Sequence, residues 1–152
     1  MPSRDKLEPQ ATDKCFGCGQ QNPVGLKLRF RTEGDEVKAE FTPSAVHEGY
    51  PGYLHGGITC ALLDEAMGWA AYQLSSGALA VTARVQIKFR RPLLIGESLA
   101  VAASITRKST RHLWTEATIK RRDGKLAAEA TAIMVISDAE RSISGICESP
   151  PY

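Results

Sequence analysis

The sequence predicts an α+β fold, an antiparallel sheet of about six strands wrapped around one long central helix. Three observations carry this. Six stretches alternate apolar and polar residues with period two, the mark of strands with one face buried and one wet. One run, Ile58 to Tyr72, is long enough for four helical turns and carries only two charges, Asp64 and Glu65. The links between the later strands are short and rich in turn residues.

The first two strands lie near the start. In "LKLRFRT", Leu26, Leu28 and Phe30 alternate with Lys27, Arg29 and Arg31. After a turn at Glu33-Gly34-Asp35, Val37, Ala39 and Phe41 alternate with Lys38 and Glu40. A loop rich in Pro and Gly runs from Pro43 to Leu54 and leads into the helix, which "SSG" at 75–77 ends. An apolar surface nearly all round says that this helix is buried. Val81, Ala83, Val85, Ile87 and Phe89 then share a face, with Arg84, Gln86, Lys88 and Arg90 opposite. Leu99, Val101, Ala103 and Ile105 form the next stripe, and Leu113, Thr115, Ala117 and Ile119 another. Leu126, Ala128, Ala130, Ala132 and Met134 form the last, entered through the Asp123-Gly124 hairpin signal. This order reads as an antiparallel meander. A sheet that must bury one face, beside a single all-apolar helix, is the hot-dog fold. Residues 22–137 form that domain, residues 1–21 precede it with a CxxC turn, and 138–152 read as a loose tail.

Bulk properties narrow the function. A chain of 152 residues suits one domain with a proper core. A net charge of +2, with no basic–aromatic stacking platform, argues against nucleic acid. No apolar run approaches the roughly 20 residues of a bilayer span. The polar start "MPSRDKLEPQ" lacks a signal-peptide core, so a cytoplasmic protein without membrane contact is expected.

The segment that raises a chemical question is "HGGITCALLDEA", residues 55–66. Cys60, Asp64 and Gly68 lie at i, i+4 and i+8 and share a helix stripe with Ala71 close by, which leaves open space beside the Asp64 carboxylate. Glu65 lies about 100° away, nearer Ala61, Leu62 and Trp69. His55-Gly56-Gly57 stands at the helix start, where unpaired N–H groups point outward and the dipole favours negative charge. Glycine lets an oxygen approach those donors, which can stabilise the oxyanion formed when a carbonyl is attacked. A nearby carboxylate can attack or activate water. Gly57 and Asp64 are seven residues apart, about 10 Å along a helix, so one carbonyl cannot reach both within one chain. If they cooperate, they come from different subunits, and the motif predicts a homodimer with two composite sites.

These residues, followed by "VTARVQIKFRRPLLIGE" and "DGKLAAEATAIMVI", resemble the PaaI-like hot-dog acyl-CoA thioesterases of the 4-hydroxybenzoyl-CoA thioesterase-like superfamily, over roughly Asn22 to Ile136. The resemblance implies hydrolysis of an acyl-CoA without metal or prosthetic group, in a dimer or dimer of dimers. It implies Gly56 as principal oxyanion donor, His55 as its support, and Asp64 of the partner subunit as nucleophile or general base. It also implies a Ser or Thr on the next strand that holds the attacking water, here Thr82. Strict alternation sets Thr82 on the Arg84 face, so that role needs a strand end or a bulge. Two positions depart from the family pattern. Gly49 stands where Asn or Gln is frequent, and Gly68 where some members carry Thr; His47 is a possible substitute for the missing polar group.

Around these, the acyl chain would lie beside Gly68, with Trp69 or Met67 lining it, and Glu65 adjoins as a structural carboxylate for an Arg across the interface. Arg90, Arg107, Lys108 and Arg111 are the candidates for the phosphates of coenzyme A. Cys15 and Cys18 have the spacing of half a zinc knuckle, but no second CxxC or His pair follows, so a plain turn into the first strand and no metal are expected. Two other readings stay open: a hot-dog hydratase or dehydratase using a loop His and a helix acid, and an acyl-CoA-binding regulatory module without turnover.

Overall fold

The computed structural model describes residues 14–77 and 79–137; most of the expected N-terminal segment and the whole expected tail, including Cys147, lie outside them. Six strands form one sheet: β1 (Arg31–Glu33), β2 (Glu36–Phe41), β3 (Ala80–Phe89), β4 (Leu99–Lys108), β5 (His112–Lys120) and β6 (Leu126–Ile136). Helix α1 (Gly56–Leu74) is the central element, and a short 3-10 turn covers Ala45–His47. All strand pairs are antiparallel, in the order β1-β2-β4-β5-β6-β3. The hot-dog architecture is thus as expected. The simple meander is not: β4-β5-β6 follow one another, but β3 crosses the sheet to pair with β6 and stands at an edge.

Alternation decides burial wherever the strand is interior. Val37, Ala39 and Phe41 of β2, Leu99, Val101 and Ala103 of β4, and Leu113, Thr115, Ala117 and Ile119 of β5 are buried as their period requires. Leu26, Leu28 and Phe30 also alternate in burial, yet they lie before β1 and bond a loop instead of a strand. Leu26 N–H donates to Phe16 C=O at 2.7 Å and Leu28 N–H to Gly17 C=O at 3.0 Å. The CxxC loop takes the place of a sheet neighbour.

Helix α1 begins two residues before the expected Ile58, because His55 caps it: its ring Nδ1 accepts from Gly57 N–H at 2.9 Å. It ends as a Schellman turn, with Ser76 at φ 61° and Gly77 N–H donating to Tyr72 C=O at 2.8 Å. Lys108 Nζ donates to the Leu74 carbonyl, adding a cation where the dipole is negative. Thr59, Leu62, Leu63, Ala66, Met67, Ala70 and Ala71 are buried against the sheet. The opposite stripe is not: Cys60 and Gly68 are half-buried and Asp64 is exposed. The helix therefore has one covered side and one open side within a single chain.

Candidate active site

Strand β3 lies along the open side of α1, and its irregularity positions the site. The β3–β6 register pairs Thr82 with Met134 but Arg84 with Ile133, so Ala83 is an extra residue at a bulge. Met134 is buried on the inner face, and the bulge turns Thr82 inward beside it. Thr82 Oγ1 donates to Asp64 Oδ1 at 2.7 Å. The same bulge corrects the expected stripe. Val85, Ile87 and Phe89 pair with the buried Ala132, Ala130 and Ala128 and face inward, whereas Val81 pairs with Val135 on the other face and is 63% exposed. The space beside Asp64 is open: a Cβ built on Gly68 meets nothing within 4 Å.

The second half of the motif sits at the start of α1. The Gly57 N–H is taken by His55 Nδ1, and Gly57 is so close to that ring that a Cβ would lie 3.0 Å from Nδ1. Gly56, as the first helical residue, has no N–H partner four residues back and is left as the outward donor. His55 N–H is held by His47 C=O at 2.9 Å, which fixes the loop from below. The ring of Phe89 stands beside Gly56, 3.9 Å from where its Cβ would be. The importance of Phe89 was not legible in the sequence, because only the pairing of β3 at the sheet edge brings its ring to the helix start.

Within one chain, then, Asp64 and Thr82 come together, and His55, Gly56, Gly57 and Phe89 come together, but the two groups stay eight residues of helix apart, about 12 Å. Gly49 lies below the motif with its N–H on Tyr53 C=O at 2.9 Å, and a Cβ there would come within 3.2 Å of the His55 Cα. His47 is turned away from the motif as a side chain. Its Nδ1 accepts from Ser44 N–H at 3.0 Å, its ring packs 5.2 Å from that of Phe41, and burial lowers its pKa.

The other candidates spread over the molecule. Arg90, just past β3, pairs with Glu129 at 2.6 Å. Arg107 stacks over Trp114 at 4.4 Å, Lys108 caps α1, and Arg111 accepts at its C=O from Ile136 N–H, so these three mark the opposite end of the sheet from Arg90. Met67 is fully buried under the sheet. Trp69 turns toward the stretch before β1, stacking on Phe30 at 5.7 Å. Among the described residues of one chain Glu65 meets no arginine; Trp69 Nε1 donates to its Oε1 at 3.1 Å and Cys15 Sγ approaches at 3.5 Å. Burial and the Glu65 carboxylate push the Cys18 thiol well above its ordinary range.

The family model for the thioesterase superfamily matches residues 51–128, more than half of the chain and the whole span from the loop before His55 into β6. The chain belongs to the thioesterase superfamily. The bovine (Bos taurus) acyl-coenzyme A thioesterase THEM4 is 29% identical over 130 residues, which are 84% of this chain and 53% of that protein. The chain thus spans about half the length of the curated relatives it matches. Among solved structures, the E. coli PaaI protein of the phenylacetic acid degradation operon superposes with a TM-score of 0.68 at 22% identity, covering 74% of this chain and 81% of that one. A Streptococcus mutans protein bound to acetyl CoA superposes with a TM-score of 0.69 at 20% identity, covering 78% and 94%. At these identities the structural likeness establishes the hot-dog fold. In this superfamily member no helix among the described residues is long and apolar enough to cross a membrane.

Proposed function

We propose that this superfamily member is an acyl-CoA thioesterase, releasing a carboxylic acid and free coenzyme A at sites shared between two subunits. The observation that carries the reading is the 2.7 Å bond from Thr82 to Asp64, which orients one carboxylate oxygen, next to a helix turn where Gly68 leaves open space. Asp64 attacks the thioester carbonyl or activates water against it, and the Thr82 oxygen has lone pairs to accept from that water. The Gly56 N–H, with the dipole of α1 behind it, stabilises the oxyanion, while His55 holds the turn. When the tetrahedral intermediate collapses, the C–S bond breaks and the coenzyme A thiolate takes a proton, from Asp64 where Asp64 has activated the water and from solvent where Asp64 itself attacked. In the second case water then cleaves the acyl–Asp64 anhydride, releasing the acid and restoring the carboxylate. No metal or prosthetic group is required by these steps.

The shared site follows from distance. Asp64 and Gly56 of one chain are too far apart for one carbonyl, whereas two α1 helices running antiparallel across a two-fold axis bring each Asp64 toward the partner subunit's helix start. The edge position of β3 supports that arrangement. Val85 is 42% and Phe89 60% exposed although both lie on the inner face, and an unpaired strand edge is a natural place for a second copy. The same two-fold would carry the Arg107, Lys108 and Arg111 end of one sheet toward the Arg90 end of the other. Phosphates of coenzyme A are assigned there. The bovine relative's name and the acetyl CoA held by the Streptococcus mutans neighbour support the substrate class. A hydratase reading has less support, because the loop His47 is engaged with Ser44 and Phe41.

The test is a panel of acyl-CoAs with free thiol followed over time. Release is expected for the parent and lost in Asp64→Asn; release that survives Asp64→Asn would sink the mechanism. Binding without release in the parent would indicate a regulatory module, and water addition to an enoyl-CoA a hydratase. Mixing Asp64→Asn with Gly56→Pro subunits should regain about a quarter of the parent activity, if subunits exchange freely and half of the dimers are mixed with one intact site each.

A further inference from the structure

Cys15, Cys18 and Glu65 form a cluster that the thioesterase reading does not use. Cys15 Sγ lies 3.5 and 3.6 Å from the two Glu65 oxygens, and one ligand atom from each of the three residues falls within 4.8 Å of the others. We propose that these three side chains bind a zinc-class divalent ion, with water as the fourth ligand, and so fasten the CxxC loop to the middle of α1.

Geometry supports the assignment. With Zn–S near 2.3 Å and Zn–O near 2.0 Å, the edges of a tetrahedral site are about 3.5 Å for sulfur to oxygen and about 3.8 Å for sulfur to sulfur. The Cys15–Glu65 edge already has this length, and shifts of about 1 Å bring the rest to it. The ligands are held before any ion arrives. Gly19 N–H closes the loop on Cys15 C=O at 2.9 Å, and Leu26 and Leu28 bond its Phe16 and Gly17 carbonyls. Trp69 Nε1 donates to Glu65 Oε1, the kind of outer bond that aims a ligating carboxylate. Gly17 is needed for the approach: a Cβ there would lie 2.4 Å from the carboxyl carbon of Glu65.

Chemistry selects the ion class. Two thiols and a carboxylate favour zinc or cobalt over magnesium or calcium, which prefer oxygen alone. On binding, both thiols lose their protons to solvent and two sulfur–metal bonds form, so two thiolates and one carboxylate face a divalent charge. Glu65 lies about 100° around the helix from Asp64, so the ion is structural and apart from the thioester. The sequence alone hid the third ligand, which is 50 positions from Cys15.

The test uses the reduced, metal-free full chain titrated with Co²⁺. A thiolate-to-cobalt charge-transfer band is expected, displaced by Zn²⁺ and not by Mg²⁺. Cys15→Ser and Cys18→Ser should each abolish it, and Glu65→Gln, which keeps an acceptor for Trp69, should weaken binding roughly tenfold or more. Zinc should raise the Tm of the parent and leave that of Cys18→Ser unchanged. No band in the reduced chain, a band indifferent to Cys15→Ser and Cys18→Ser, or equal affinity in Glu65→Gln would each overturn the assignment. A Cys15–Cys18 disulfide recovered in place of metal binding after reduction would do the same.

Discussion

Thr82 reaches Asp64 at 2.7 Å only because β3 carries an extra residue at Ala83. Without the bulge its hydroxyl would share the face of Arg84 and leave the carboxylate with no hydrogen-bond partner among the described residues. The bond fixes where one Asp64 oxygen points. Thr82→Val keeps the β-branched shape and removes the hydrogen bond, so kcat should fall about tenfold to a hundredfold with little change in KM. Thr82→Ser should retain most of the activity. Equal kcat in Thr82→Val and the parent would show that the bond does not serve the reaction.

The Gly56 N–H can be removed without unfolding the helix. Gly56 is the first residue of α1, where proline is well tolerated, and His55 before it is extended at φ −61° and ψ 136°, as a residue preceding proline must be. Gly56→Pro should therefore keep the circular dichroism of the parent and lose on the order of 10²–10³ in kcat. Gly56→Ala retains the N–H, and its Cβ would sit 3.9 Å from Phe89, an ordinary contact, so it should lose far less. If both variants lose activity equally, crowding and not the donor is responsible.

The dimer proposed through the β3 edge makes its own prediction. Val85 faces inward from an edge strand yet is 42% exposed in one chain, so Val85→Lys should disturb the isolated fold little. It should place a charge at the two-fold interface, give a monomer by light scattering, and abolish thiol release because no composite site forms. A monomeric Val85→Lys with parent activity would remove the basis for shared catalysis.

How far the sequence reached is seen at particular residues. Interior strands were legible because burial on one face enforces period two, as at Leu99, Val101 and Ala103. Edge strand β3 was less so: no neighbour constrains its outer edge, and the bulge moved Val81 out and Thr82 in. Short links favour sequential neighbours and so a meander, whereas the longer Arg90–Ser98 connection lets β3 leave β4 and pair with β6. Helix spacing correctly separated Asp64 from Glu65, since i, i+4 geometry is local. It could not find partners remote in sequence. Within one chain Glu65 meets Cys15 and Trp69, and Phe89 meets Gly56.

The His47 ring ties pH to the loop beneath the motif. Burial lowers its pKa in the folded chain, and its Nδ1 must be unprotonated to accept from Ser44 N–H. Between the folded and unfolded pKa values the unfolded chain binds more protons, so stability rises with pH in that window. The contribution is fully present above the unfolded value near 6.5 and is lost as pH falls through the lower folded one. His47 C=O also holds His55 N–H, so loosening the turn should disturb the Gly56 donor. Urea unfolding at several pH values should show the parent losing stability from pH 7 to 5 more steeply than His47→Asn, whose side-chain oxygen accepts from Ser44 without titrating. Parallel pH profiles for the two proteins would assign the acid sensitivity to other groups.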